Sequence, residues 1–178
     1  DAIRKALEMD PLSPLYTSFA AFNYYGMRRY DQALQEANKA LEIDPQFLLA
    51  LWYSGMCFMK KGIQDQAIKL FKRCVEVSQG STYFTSYLGM AMAYSGDRER
   101  AYEIIQEMET LRRTEYVAPL HFARVYLGLN DIDRVFEELE KAYEQRNVLV
   151  YLIDAPEFDS IRADPRYVVL LAKLQRRY

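Results

Sequence analysis

The sequence is poor in residues that bind metals or form disulfides. It has 2 cysteines, Cys57 and Cys74, and 1 histidine, His121. Two thiols and one imidazole match no ligand set of known metal-site spacing, so we predict no metal and no cofactor. Both cysteines lie in apolar helical patterns, which predicts buried, reduced thiols and an intracellular, cytoplasmic protein.

Motifs of catalysis are also missing. The sequence contains no phosphate-binding loop, dinucleotide glycine motif, nucleophile elbow or zinc-protease helix. A catalytic base would need a placed nucleophile and an orienting acid, and nothing close to His121 in sequence supplies either. We therefore predict that the protein is not an enzyme and that no residue is catalytic.

The sequence also has no block of like charges and no long apolar run. The 23 basic and 25 acidic residues are interspersed and leave a net charge of -2. A protein that follows a nucleic-acid backbone needs a basic block, so we expect no nucleic-acid partner. No apolar run approaches the ~20 residues that span a bilayer, and no signal peptide is present, so we expect no membrane partner.

What the sequence does contain is a repeat of 34 residues. Two amphipathic helices, at Leu48–Met59 and Ala67–Val75, are indicated by apolar residues at intervals of three and four. Lys60-Lys61-Gly62 separates them, and Gly55 predicts close approach of a neighbouring helix. A period of this length is typical of stacked helical hairpins. The pairs and triplets at this interval are Ala33/Ala67/Ala101, Gly55/Gly89, Gly62/Gly96 and Pro11/Pro45.

The repeat resembles the tetratricopeptide repeat (TPR) family. The residues that carry the resemblance are Tyr24, Ala33, Ala40 and Pro45, then Gly55, Phe58, Ala67 and Phe71, then Leu88-Gly89 and Ala101, and more weakly Ala123, Tyr126, Leu139 and Ala142. The resemblance implies an all-α, right-handed superhelical solenoid of helical hairpins with a C-terminal capping helix. We predict one domain over 1–178, comprising the second helix of a truncated repeat (1–11), repeats at 14–47, 48–81, 82–115 and 116–149, and a cap at 150–178.

Helices are predicted near 14–28, 31–43, 46–60, 64–77, 82–95, 98–112, 116–128 and 131–145. In the cap, Asp154-Ala155-Pro156 and Asp164-Pro165 each open a short helix, and the second should present a polar outer face to solvent. The string from Glu157 to Leu171 is similar to the tail of many bacterial TPR regions. This similarity, and a start at Asp1 without Met, indicate part of a larger signalling or assembly protein.

In a stack of this kind the first helix of each hairpin lines a concave groove. The 34-residue register places large apolar residues there, and Trp, Tyr and Met are favoured in binding surfaces. The alternative is that helix packing or the C-terminal segment buries many of them. The predicted peptide-binding residues are Phe22, Tyr25, Leu49, Trp52, Met56, Met59, Tyr83, Tyr87, Met90, His121 and Arg124.

The resemblance also suggests one partner class that the residues contradict. Some family members hold the carboxylate-rich tails of heat-shock chaperones with a clamp of Lys, Asn and Arg. The matching positions here are Ser18, Phe22, Tyr53, Tyr83 and Tyr87, or one repeat later Trp52, Met56, Tyr87, Val117 and His121, which cannot pair with carboxylates in that way. We therefore predict a protein or peptide partner held by apolar contacts. The alternatives are a small apolar ligand, as in a sensory module, and self-association as a homodimer.

Overall fold

The computed structural model describes residues 13–147 and 153–175. The described residues form helices and no strands, so the all-α class is confirmed. The first two hairpins comprise α1 (Pro14–Gly26), α2 (Tyr30–Ile43), α3 (Leu48–Lys60) and α4 (Gln64–Val77). The next two comprise α5 (Thr82–Ser95), α6 (Arg98–Leu111), α7 (Pro119–Gly128) and α8 (Ile132–Glu144). A 3-10 helix, η1 (Pro156–Ile161), and α9 (Pro165–Gln175) complete the described chain. The helix expected within residues 1–11 lies outside the described residues.

The helix ends agree with the predicted ones to within a few residues, and the largest difference has a local cause. Helix α7 begins at Pro119, whereas residue 116 was the predicted start. Ala118 is extended, with φ −62° and ψ 133°, because the ring of a following proline disfavours the helical conformation. Val117 therefore lies outside the helix, although it is buried.

The turns inside the four hairpins share one backbone conformation. Arg28, Gly62, Gly96 and Asn130, which are spaced by 34 residues, all have positive φ, at 60°, 74°, 94° and 58°. The following residue then donates its N–H to a carbonyl five positions back, as from Ile63 to Phe58 at 2.9 Å. This hydrogen bond, together with the positive φ, is the Schellman motif that ends many helices. Gly62 therefore takes the left-handed conformation predicted for it, and Arg28 and Asn130 take it although they carry a Cβ atom.

The chain divides into two compact units, Asp1–Leu88 and Gly89–Tyr178. In the first unit, small residues let the helices pack closely. Ala21, Ala37, Ala40 and Ala50 are fully buried and form a core cluster with Tyr53. Alanine loses no side-chain entropy in a helix and keeps neighbouring axes close.

Gly55 of α3 also allows two helices to pack closely. A Cβ atom at this position would lie 2.7 Å from the Phe71 ring of α4, closer than real Cβ contacts allow. The ring instead lies directly on the α3 backbone and is fully buried. The predicted close approach at Gly55 is confirmed, and the partner is the second helix of the same hairpin.

In the second unit, α7 is the central helix. Each of its ten residues is buried. At its end, a Cβ atom on Gly128 would lie 2.7 Å from the Met90 carbonyl oxygen and 2.9 Å from the Ala93 Cβ atom, both on α5. The backbone of α7 therefore meets the backbone of α5 directly, with no side chain between them at this point.

Helix α9 caps the second unit by packing on α8. Tyr167, Leu170 and Leu174 form its buried side. Arg166 lies over the Phe136 ring at 4.4 Å and pairs with Asp133 at 2.8 Å. The capping helix is thus confirmed. Its outer face is less polar than predicted, because Val168 and Val169 are 63% and 54% exposed.

The two cysteines are buried and unbridged. Burial in apolar surroundings raises the pKa of Cys57 and of Cys74 to about 12 each, because it disfavours the thiolate. The sequence prediction of inert, buried thiols agrees with this environment.

We expect neither thiol to react in the folded protein at neutral pH, because both the thiolate form and access are suppressed. Titration with a chromogenic disulfide reagent, with and without denaturant, measures this. Slow modification of the native protein and rapid modification of two thiols in denaturant is the expected result. Fast labelling of either cysteine in the native state would contradict it.

The cap can be tested with two substitutions on one helix. Leu170→Ala removes a fully buried side chain and should lower the free energy of unfolding by roughly 2–5 kcal/mol. Val168→Ala, at an exposed position of the same helix, should change it by about 0.5 kcal/mol or less. Thermal or denaturant unfolding compares the two. Equal effects would show that α9 does not cap the fold.

Candidate functional site

The predicted site residues lie on the first helix of each hairpin, namely α1, α3, α5 and α7, which we call the inner helices. These helices carry almost no charge. Helices α1 and α5 contain no Asp, Glu, Lys or Arg, α3 contains Lys60 at its last position, and α7 contains Arg124. The second helices are strongly charged by contrast, as in RERAYEIIQEMETL of α6. Any surface that the inner helices offer therefore carries almost no charge.

In the first unit, four of the predicted residues remain accessible, and we call them the aromatic surface. Phe22 of α1 is 48% exposed. Leu49 and Trp52 of α3 and Tyr83 of α5 are half-buried. Two further apolar residues of α1 extend it, since Leu15 and Phe19 are also exposed. The aromatic surface is therefore contributed by three successive inner helices.

Ring contacts hold the aromatic surface in place. The indole of Trp52 lies 4.6 Å from the Tyr53 ring, 5.4 Å from Tyr83 and 5.5 Å from Tyr87, measured between centroids. Phe22 contacts the other end of this group, 5.7 Å from Tyr53. The angles between planes are tilted or edge-on, the arrangements that aromatic quadrupoles favour. The exposed rings therefore rest on a layer of buried ones.

The other predicted residues of the first unit are not accessible. Tyr25, Met56, Met59 and Tyr87 are buried and present no surface to a partner in this structure. Tyr87 stacks on Phe71 at 5.6 Å, with 23° between the planes. The sequence left open whether these residues would line a groove or be buried by helix packing. At these four positions they are buried. Of the four, Tyr87 contacts the aromatic surface directly, through the rings of Trp52 and Tyr83.

The second unit differs, because its predicted residues are covered. Met90, His121 and Arg124 are all buried. Arg124 has 0% exposure, and its Nε atom lies 3.8 Å from Oε1 of Glu157, which is itself 4% exposed. Glu157 belongs to η1, so part of the C-terminal segment lies on the inner side of α7.

Burial raises the pKa of Tyr94 at the end of α5, and the negative charge of Glu157 adds to this rise. Ile153, Pro156, Phe158 and Ile161 are buried around Glu157. This segment is therefore largely buried, and Glu157 lies against Arg124 of α7.

Polar contacts tie this segment to α9. The Asp154 carboxylate accepts a hydrogen bond from the Tyr167 hydroxyl at 3.2 Å and pairs with Arg162. Arg162 also pairs with Asp159 at 2.8 Å. Sequence reasoning placed Glu157 in the cap and missed its pairing with Arg124. The available signal was a lone arginine in an otherwise uncharged inner helix, since a buried charge needs an opposite charge.

His121 lies on α7 three positions before Arg124. Burial, and secondarily the positive charge of Arg124, lower its pKa to about 3. The imidazole is therefore neutral at physiological pH. Within residues 13–147 and 153–175, no group of His, Cys, Asp and Glu side chains could hold a metal ion. Over the same ranges no helix has the length and apolarity needed to cross a bilayer.

Comparisons with known proteins agree with the hairpin architecture. Residues 20–47 match the family model of the tetratricopeptide repeat. The chain is similar in structure to YrrB, a TPR protein with an unusual peptide-binding site, with a TM-score of 0.58 and 16% sequence identity. The similarity covers 97% of this chain and 90% of that chain. No curated protein matches the sequence. The findings support the TPR family and confirm the helical-solenoid fold class.

The environment of His121 predicts a dependence of stability on pH. Histidine in an unfolded chain has a pKa of about 6.5, whereas His121 in the folded protein has a pKa of about 3. Between these pH values the unfolded state binds a proton and the folded state does not. Stability contributed by neutral His121 is present above pH 6.5 and is lost as the pH falls. Between about pH 7.5 and pH 5.5 we expect a loss of about 1 kcal/mol.

His121→Gln, which keeps a polar side chain but cannot titrate, should lack this loss. Urea unfolding of both proteins at the two pH values measures the difference. If His121→Gln loses as much stability as the unsubstituted protein, the proton uptake occurs at another group.

Proposed function

We propose that this chain is a protein-interaction module that binds a peptide or protein segment on the aromatic surface of its first unit. One observation carries the proposal. Phe22, Leu49, Trp52 and Tyr83 stay accessible on three inner helices whose one charged residue is Lys60, although Tyr53 and Tyr87 beside them are buried. Exposed apolar groups gathered in this way are typical of interaction sites.

The aromatic surface suits binding because its rings are ordered before a partner arrives. Trp52 touches several neighbouring rings, so little side-chain freedom remains to be lost on association. Preorganised side chains lower the entropic cost of binding. Trp and Tyr at such positions are also the residues that most often dominate binding energy.

The partner that fits is an uncharged segment rich in apolar side chains. The inner helices of the first unit offer no cation for a carboxylate apart from Lys60 at the end of α3, and no acid for a basic peptide. A carboxylate-rich chaperone tail is therefore disfavoured, as is nucleic acid. The peptide-binding site named for the structurally similar YrrB supports the peptide class.

The wider context is part of the same proposal. The TPR-like tail sequence suggests that the module serves a larger bacterial signalling or assembly protein in the cytoplasm. The division into four repeats at 14–47, 48–81, 82–115 and 116–149 also stays a prediction. Small-ligand binding and homodimer formation by the aromatic surface are the competing outcomes of the experiment below.

Phe22 is the sharpest probe, since it is half exposed and can be truncated with less damage to the fold than Trp52. Peptides selected from a random library on the unsubstituted protein should be rich in aromatic and aliphatic residues. Phe22→Ala should weaken their binding by about 2 kcal/mol, roughly 30-fold. Tyr102→Ala, at a comparably exposed position on α6, should leave it unchanged.

The emission of Trp52, the only tryptophan, reports on binding directly. Affinity should depend weakly on salt, and association should have a negative heat-capacity change. Selection of charged peptides, release by moderate salt, or equal affinity for Phe22→Ala would refute the proposal. A dimer in light scattering that Phe22→Ala dissociates would instead show self-association.

A further inference from the structure

Three helices of the first unit are linked by aromatic contacts that begin and end on α3. The Phe71 ring of α4 lies on the α3 backbone at Gly55, where an added Cβ atom would be 2.7 Å from the ring. Phe71 stacks on Tyr87 of α5 at 5.6 Å, with 23° between the planes. Tyr87 in turn contacts Trp52, one helical turn before Gly55 on α3, at 5.5 Å between centroids. We call these four residues the contact cycle.

The contact cycle joins the core of the first unit to the aromatic surface. Phe71 is 0% exposed and Tyr87 is 1% exposed, whereas Trp52 is half-buried. Tyr87 also contacts Tyr83, a second accessible ring of the aromatic surface, at 5.4 Å. One buried ring therefore connects Phe71 with two accessible rings, although Phe71 itself offers no surface to a partner.

The shape of the Phe71 side chain matters because the surrounding space is filled. Protein interiors are packed as densely as organic crystals, so a change in one buried side chain is transmitted to its neighbours. The nearly parallel rings of Phe71 and Tyr87 form the stacked arrangement that aromatic pairs favour. An aliphatic side chain of similar volume would fill the space but would not present a flat ring to Tyr87.

We infer that Phe71 is a positioning residue of the aromatic surface. It sets the orientation of the Tyr87 ring, which in turn orients the rings of Trp52 and Tyr83. The inference rests on the proposed function, because it concerns how that binding site is held ready for a partner. Side chains locked by a supporting layer lose less freedom on association. Phe71 therefore contributes to affinity without touching the partner.

Trp52 reports on this role without any partner, since it is the only tryptophan. Near-ultraviolet circular dichroism detects the fixed packing of aromatic side chains. Phe71→Leu keeps most of the volume and should preserve the fold. It should lower the tryptophan band of the near-ultraviolet spectrum roughly twofold, because the Trp52 ring loses its fixed orientation. If Phe71→Leu does not fold, Phe71→Met takes its place, because methionine adapts to irregular space.

Phe122→Leu is the matched control. Phe122 is also 0% exposed, but it lies on α7 in the second unit. This variant should lower the melting temperature by a similar amount and leave the Trp52 spectrum unchanged. A purely structural role of Phe71 would make the two variants alike. An unchanged Trp52 spectrum in Phe71→Leu would therefore overturn the inference.

A double substitution tests whether Phe71 acts through Tyr87. Tyr87→Leu should reduce the tryptophan band by itself. Adding Phe71→Leu to it should then have little further effect, because changes at residues in contact are not additive when one acts through the other. If the two reductions add, Phe71 does not act on Trp52 through Tyr87, and the stated role is wrong.

Binding gives the final measurement. Peptides selected on the unsubstituted protein should bind Phe71→Leu about tenfold less tightly, chiefly through faster dissociation. Phe122→Leu should bind them with unchanged affinity. An altered Trp52 spectrum with full affinity would show that the position of Trp52 does not matter to the partner, and would overturn the inference. The spectra need no partner, so the inference can fail while the proposed function holds.

Discussion

Neighbouring helices pack with their backbones in close contact, and the placement of the large side chains depends on this. Phe71 can lie on the α3 backbone only because Gly55 has no side chain, and α7 can meet the Met90 carbonyl only because Gly128 has none. Fully buried alanines of α1, α2 and α3 also pack together in one core cluster. Once the helices are this near, large side chains cannot fit between them at these contacts. They must fill the remaining core or face outward from the inner helices.

The large apolar side chains of the inner helices have different environments in the two units. In the first, buried rings support a layer of accessible ones that ends in Phe22, Trp52 and Tyr83. In the second, the chain covers the equivalent positions with its own η1 segment. There Arg124 is fully buried and pairs with Glu157 of η1. The first unit therefore has accessible aromatic side chains, whereas Met90, His121 and Arg124 of the second are buried.

Much of the fold could be predicted because helices and turns depend on local patterns of residue type and spacing. The 34-residue spacing, the three-and-four spacing of apolar residues and Gly62 located the hairpins and their turns to within a few residues. The start of α7 was predicted too early because the repeat register outweighed the effect of Pro119 on Ala118. The exposed Val168 and Val169 were missed because an apolar stripe on α9 indicates a buried side but does not show how far that burial extends.

The candidate site was less predictable, for a physical reason. The sequence by itself determined which helices would be uncharged and that large apolar residues would recur on them, since both follow from residue type and spacing. Whether each of those residues is accessible depends on contacts between distant parts of the chain. Only the tertiary structure decided that Phe22 is exposed, that Met56 is buried and that Glu157 meets Arg124, 33 positions earlier in the sequence. Burial is a property of the packed molecule, and no local pattern reports it.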